Sequence, residues 1–211
     1  MRSEVKNYYD VLGPQVVEAM KKRHFEAYYC PDAEQACRQI LSMIPREDSV
    51  AWGGSMTLQE LGIKEALRQR GQRMIDRDAV PADQKAETMV QALTADTFLM
   101  SSNAITKDGQ LFNIDGTGNR IAALCFGPKS VIVVAGMNKV VADMDAAYAR
   151  VRQFVAPVNA KRLNQNTPCA VTGKCADCLS QDCICANMLT TRNSRPAGKI
   201  KVVLIGEELG F

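Results

Sequence analysis

Five of the chain's eight cysteines, Cys169, Cys175, Cys178, Cys183 and Cys185, fall in one short polar stretch interleaved with Pro168, Gly173 and Lys174. Packing alone does not explain such a concentration of thiols. Cys175 and Cys178 stand in a Cys-x-x-Cys pair whose thiolates one metal can bridge. Cys169 lies five intervening residues upstream and Cys185 six downstream as third and fourth ligands. Four thiolates suit an iron-sulfur cluster or a closed zinc site. Zinc sites usually use two close pairs, and here one pair is flanked by single cysteines, so the spacing favours a cluster of the 4Fe-4S type, with zinc or unligated thiols as the alternatives. Cys183 is the surplus thiol and can replace Cys185 as a ligand.

A second group of polar residues lies at 101–139, where an Asn-Ala-Ile-Thr run, an Asp-Gly turn and an Asp-Gly-Thr-Gly-Asn-Arg loop follow one another. Asp108-Gly109 between two alternating runs is a hairpin signal. Gly116, Thr117 and Gly118 then open a helix expected through Arg120 and Leu124, and free N–H groups at a glycine-lined opening can hold an anion. The same glycines can also do no more than turn the chain. Gly53, Gly54, Ser55 and Thr57, between an apolar run and a helical pattern, form a second candidate cradle. Arg120 and Lys139 would neutralise a carboxylate or phosphate, and Asn103, Asn119 and Asn138 would orient it. The competing reading pairs Arg120 with Asp115 and leaves the asparagines to loop backbone.

These residues need a scaffold, and the apolar pattern supplies one. A first amphipathic helix carries Val5, Tyr8, Tyr9, Leu12, Val16 and Met20, and Gly13-Pro14 is expected to kink or split it. Short apolar strands are expected at 25–29, 49–52, 73–76, 97–100, 130–135 and 200–205. Between them lie helices marked by an Asp32/Gln35 capping box, an apolar stripe through Leu58, Leu61, Ile63 and Leu67, Pro81, and an Asp143 cap. Such alternation implies an α/β fold with a mostly parallel sheet covered by helices on both faces. Ligands of such sheets gather at the carboxyl ends of the strands, where residues 53–57, 101–106 and 136–139 are expected to converge.

General acid or base work would fall to a carboxylate. The one histidine, His24, sits at a helix end beside Lys21, Lys22 and Arg23, and among the carboxylates Asp115 is the first choice because its loop faces the expected pocket, with Glu87 and Glu207 as weaker alternatives on position alone. Ser55 and Ser101 show no activating partner in the sequence. A Gly-x-Gly-x-x-Gly after the first strand is absent, so a Rossmann-type nicotinamide dehydrogenase is not supported. With 211 residues, 46% apolar, 23% charged and a formal charge of +3, the chain reads as one domain at 1–211 with a cysteine-rich insert at about 168–186. The interspersed charges give no nucleic-acid footprint, and no apolar run suits a signal peptide or membrane insertion, so a cytoplasmic location is expected. A homo-oligomer is left open by the sequence.

WGGSMTLQELGI at 52–63, the whole of 101–139, APVNAKRL at 156–163, the segment PCAVTGKCADCLSQDCIC and the closing VVLIGEELGF together resemble the lactate-utilisation (LUD domain) family. The resemblance implies a fold similar to sugar-phosphate isomerases of the ribose-5-phosphate type, CoA transferases and initiation-factor-2B-like proteins. It also implies a role in oxidising lactate or a related small 2-hydroxy acid, alongside iron-sulfur partner proteins. The alternatives are an isomerase-like or transferase-like enzyme acting on a phosphorylated or CoA-linked metabolite, and a non-catalytic interaction subunit.

Overall fold

The computed structural model describes residues Met1–Phe211. Its strands are β1 (Glu26–Cys30), β2 (Ser49–Trp52), β3 (Arg73–Ile75), β4 (Thr97–Met100), β5 (Ala104–Thr106), β6 (Leu111–Asp115), β7 (Ser130–Gly136), β8 (Val140–Val141), β9 (Asn187–Thr191) and β10 (Ile200–Ile205). The helices are α1 (Ser3–Lys22), α2 (Ala33–Ser42), α3 (Met56–Glu60), α4 (Ile63–Gln69), α5 (Lys85–Gln91), α6 (Asn119–Cys125), α7 (Met144–Arg150), α8 (Ala156–Arg162) and α9 (Pro168–Thr172).

Six strands form a fully parallel sheet in the order β1-β10-β7-β4-β2-β3. Its central strands read as continuous apolar runs because both faces are covered. Side chains alternate between two cores: Phe98, Met100, Val131, Val133, Val202 and Leu204 pack towards α1, whereas Leu99, Ile132, Val134, Val203 and Ile205 pack with Ile40, Trp52 and Leu58 on the other side. The α/β architecture implied by the alternation is the one observed.

Local signals act as expected in several places. Asp32 caps α2, its carboxylate accepting from Gln35 N–H at 2.8 Å, and Asp143 caps α7 by accepting from Ala146 N–H at 2.8 Å. Pro14, however, neither splits nor ends α1, which runs unbroken past it. One lost backbone bond is outweighed by the buried stripe of Val16, Val17 and Met20 that anchors the helix to the sheet. The apolar stripe through Leu58 and Leu67 is divided at Gly62 into two helices, α3 and α4.

A second sheet, of mixed direction and in the order β8-β5-β6-β9, departs from the sequence expectation. Its β5-β6 hairpin turns at 106–110, and Ala104, Phe112 and Ile114 pack a third core against Ala147, Val151, Val155 and Ala156. α7 and α8 are joined by a π-helical turn at Val151–Val155. Pro157, which lacks an N–H and crowds the carbonyl four residues earlier, stands just after that wide turn. No helix of the chain is long and apolar enough to cross a membrane.

Candidate functional site

The carboxyl ends of β2, β4 and β7 open towards the end of β6 in the second sheet, and between them lies a cavity of about 200 Å³. Gly54 and Ser55 line it from the β2 exit, Asn103 from the β4 exit, and Lys139 from the turn after β7. Asp115, Gly116, Thr117, Asn119 and Arg120 form the wall contributed by β6 and α6. The three strand exits therefore meet as the parallel topology requires.

Four expected residues lie behind the lining. Gly53 leaves room for Arg120, since a Cβ there would stand 2.4 Å from Arg120 Cγ. Gly118 donates its N–H to Asp115 Oδ1 at 3.0 Å. Thr57 lies under Lys139, accepting from its Nζ at 2.9 Å. Asn138 faces the C-terminal segment, donating to the Gly210 carbonyl at 3.1 Å and accepting from Leu209 N–H at 3.2 Å.

Asp115 is almost wholly buried and its carboxylate is occupied. Oδ1 takes the Gly118 N–H, and Oδ2 takes those of Arg120 at 3.0 Å and Ile121 at 3.4 Å and pairs with Arg120 Nε at 3.3 Å. The residue thus organises the glycine loop and the start of α6. Burial lowers the Arg120 guanidinium, an effect that Asp115 opposes. A fifth of the Arg120 side chain remains exposed. Glu87 and Glu207 do not line the cavity.

Several lining residues were not expected from the sequence. Arg77 comes from the loop after β3, and Asn159 and Arg162 come from α8, where Arg162 donates to Asn159 Oδ1 at 2.8 Å. The polar pair at i and i+3 within APVNAKRL is the signal that marks one face of α8. Arg77 has no comparable signal, because its loop has no periodicity. Arg150 braces the rim from α7, donating to the carbonyls of Asn103 at 2.9 Å and Asn138 at 3.3 Å. The lining carries Arg77, Arg120, Lys139 and Arg162 against the single acid Asp115.

Lys139 is strongly perturbed by its surroundings. Only 3% exposed, it has its ammonium pushed down to about 7, chiefly by burial, then by Arg150, with Glu60 opposing and Arg120 adding to the fall. Between about pH 7 and the ordinary value of 10.5 the unfolded chain holds a proton that the folded chain has lost. Stability therefore rises with pH across that window, and the full penalty of the buried charge is felt below it. Lys139→Met is expected to stabilise the protein at pH 6 to 7, with the gain fading towards about pH 10 in urea unfolding. A gain that does not vary with pH would show that Lys139 titrates normally.

The expected iron-sulfur or zinc site on Cys169, Cys175, Cys178 and Cys185, or with Cys183 in place of Cys185, is not formed. No three His, Cys, Asp or Glu side chains are grouped so that they could hold a metal ion. Cys169 is buried in α9 with its Sγ 3.3 Å from Thr167 Oγ1. The other four follow an irregular path from residue 173 to 186, pinned by contacts of Asp177 with Arg152 at 2.8 Å and of Asp182 with Asn166 N–H at 3.3 Å. Cys185 is pushed up to about 12, chiefly by burial and then by Cys183, with Cys175 and Cys169 contributing less. The thiols are thus neighbours that do not converge on one centre. Spacing counts residues between thiols, whereas convergence depends on the directions set by these turns. The segment forms part of the cavity wall instead: Ile184 lines it, and a Cβ on Gly116 would meet Ile184 Cα at 3.2 Å.

The family model described as LUD domain matches residues 13–205. The crystal structure of a DUF162 family protein from Deinococcus radiodurans is similar in fold, with a TM-score of 0.56 and 12% identity over 93% of this chain and 98% of that one. eIF2B delta from Chaetomium thermophilum aligns at 18% identity over 52% of this chain and 48% of its own, with a TM-score of 0.35. No curated protein matches the chain.

Proposed function

The chain belongs to the LUD domain family, and from that premise we propose that its cavity binds a small anionic metabolite in the oxidative utilisation of lactate or a related small 2-hydroxy acid. The observation that carries this reading is the charge of the lining: three guanidinium groups, with the Lys139 amine beside them, face one acidic side chain, and that acid is already engaged by backbone N–H groups and Arg120. A carboxylate entering the cavity supplies the missing negative charge, and guanidinium groups match its two oxygens. Arg120, Arg77 and Arg162 supply the charge in this reading. Asn103 and Asn119 orient the ligand's polar groups, and Asp115 holds Arg120 and the glycine loop in place. A cavity of about 200 Å³ suits a molecule of a few heavy atoms better than a large cofactor.

Thermal melting tests the reading. L-lactate or pyruvate near a hundred times its dissociation constant should add about 2.7 kcal/mol of stability. That corresponds to a rise of roughly 5–10 °C for a chain of this size. Arg120→Ala should abolish the rise. A shift produced by a sugar phosphate and not by lactate or pyruvate would replace the hydroxy acid with a phosphorylated ligand, and no shift with any of them would remove the anion site.

A further inference from the structure

Ser101, at the exit of β4, and Lys139, after the adjacent strand β7, both line the cavity. In the sequence Ser101 has no visible activating partner; in the fold Lys139 Nζ lies 3.0 Å from its Oγ. The other hydroxyl on the amine is Thr57 Oγ1, at 2.9 Å. The proton on that hydroxyl is directed at the Leu209 carbonyl, 3.2 Å away, so Thr57 accepts an N–H from the lysine. As an ammonium, Lys139 donates to Ser101 Oγ across this contact; as a neutral amine, its lone pair faces the same hydroxyl over the same 3.0 Å and can take the Ser101 proton. Its other acceptors, Thr57 Oγ1 at 3.3 Å and the Ser102 carbonyl at 3.4 Å, are farther away. The acid of this neighbourhood, Glu60, accepts the Gly210 N–H at 2.7 Å and makes no ion pair with Lys139.

We propose that Ser101 and Lys139 are a nucleophile and its general base, positioned by Thr57, and that they transfer the acyl group of a small anionic ester or thioester. A nucleophile within hydrogen-bond reach of a base that is itself oriented by a third group is the arrangement that activates a serine. Ser101 Oγ bonds to the acyl carbon as its proton passes to the neutral Nζ. The tetrahedral adduct then expels the alkoxide or thiolate, which leaves with the proton from Lys139. Water, deprotonated by the same amine, cleaves the acyl-serine, so that ester and water become acid and alcohol or thiol. Burial keeps the amine available as a base near neutral pH. The groups that act on it are Arg150 of α7 and Arg120 of α6, which favour the neutral form, and Glu60 of α3, which opposes them. The choice of an anionic substrate rests on the anion reading given above; the nucleophile and base do not.

Diisopropyl fluorophosphate provides the test, since it needs only a reactive serine: the Ser101 Oγ–P bond forms, fluoride leaves and the proton goes to Lys139. Peptide mapping of the full chain should place the adduct on Ser101, at a rate rising about tenfold from pH 6 to pH 8 as the base loses its proton. Lys139→Arg retains a hydrogen-bond donor but holds its proton at every pH tested, and should lose the labelling at least a hundredfold. Thr57→Val should move the midpoint of the pH profile, and Thr57→Ser should restore it. An adduct elsewhere, no adduct, or a flat pH profile in the wild-type chain would overturn the proposal without reliance on any variant. Lactate-induced stabilisation without labelling of Ser101 would sink this pair and leave the anion site standing, and labelling without any anion-induced shift would do the reverse.

Discussion

Asp115→Ala is expected to destabilise the protein by about 3 kcal/mol or more, the range found when one partner of a buried ion pair is removed. Its side chain is 5% exposed and that of Arg120 20%, so the arginine would be left mostly desolvated without its counter-charge. The N–H groups of Gly118, Arg120 and Ile121 would lose their acceptor in the same step. In a chain of this length that loss lowers the melting temperature by roughly 6–12 °C. The loop between β6 and α6 should open, and the lactate or pyruvate shift should disappear with it. Asp115→Asn separates the two contributions: one carbonyl acceptor remains, so part of the stability returns while Arg120 stays unpaired. Urea unfolding and ligand-dependent melting of both variants check this. An Asp115→Ala protein as stable as wild type would mean that the loop is held by something other than the carboxylate.

Gly109→Ala is expected to cost a similar amount, about 3 kcal/mol, for a different reason. Gly109 adopts φ +88°, and a Cβ there would stand 2.7 Å from the Met20 amide nitrogen and 2.9 Å from Ala19 carbonyl carbon, both backbone atoms of α1. The left-handed backbone accounts for about 1 kcal/mol of the cost, and forcing atoms into a packed contact for about 1–3 kcal/mol more. Met20 is fully buried in the first core, so α1 cannot yield and the hairpin must. Displacing β5 and β6 moves Asn103, just before β5, and Asp115, the last residue of β6, so ligand-induced stabilisation should weaken too. Gly71→Ala is the control. Gly71 has φ +71° with open space where a Cβ would stand, so alanine there should cost only about 1 kcal/mol. Equal losses at the two glycines would show that the contact with α1 contributes nothing.

Much of this architecture can be read from the chain. The apolar runs of β4, β7 and β10 have the length and content of strands buried on both faces, and alternation with helices leaves few arrangements other than a parallel sheet. The convergence of the polar exits at Gly54, Asn103 and Lys139 follows, because parallel strands present their carboxyl ends along one edge. The second sheet is harder to see. β8 has two residues, and β9, Asn-Met-Leu-Thr-Thr, carries no strong alternation and is mostly exposed. Its strand character comes from pairing with β6 and not from its own side chains. Unbroken α1 shows the same effect in a helix, where tertiary burial overrides a local breaker.

By itself, then, the sequence determined which segments become the strands of the parallel sheet and most of the helices that cover it, and that loops rich in glycine, asparagine and basic residues gather at one edge of that sheet. Those properties depend on local periodicity and on the handedness of short crossovers, which neighbours along the chain settle. Only the tertiary structure decided what the gathered side chains do. It engaged Asp115 with three N–H groups and Arg120, and brought Arg77 and Arg162 into the lining. It also brought the amine of Lys139 to Ser101, 38 residues away in sequence, and left the thiols of the cysteine segment without a grouping that could hold a metal ion. Direction, burial and the identity of the nearest charged neighbour are properties of three-dimensional packing, and residue spacing along a chain does not carry them.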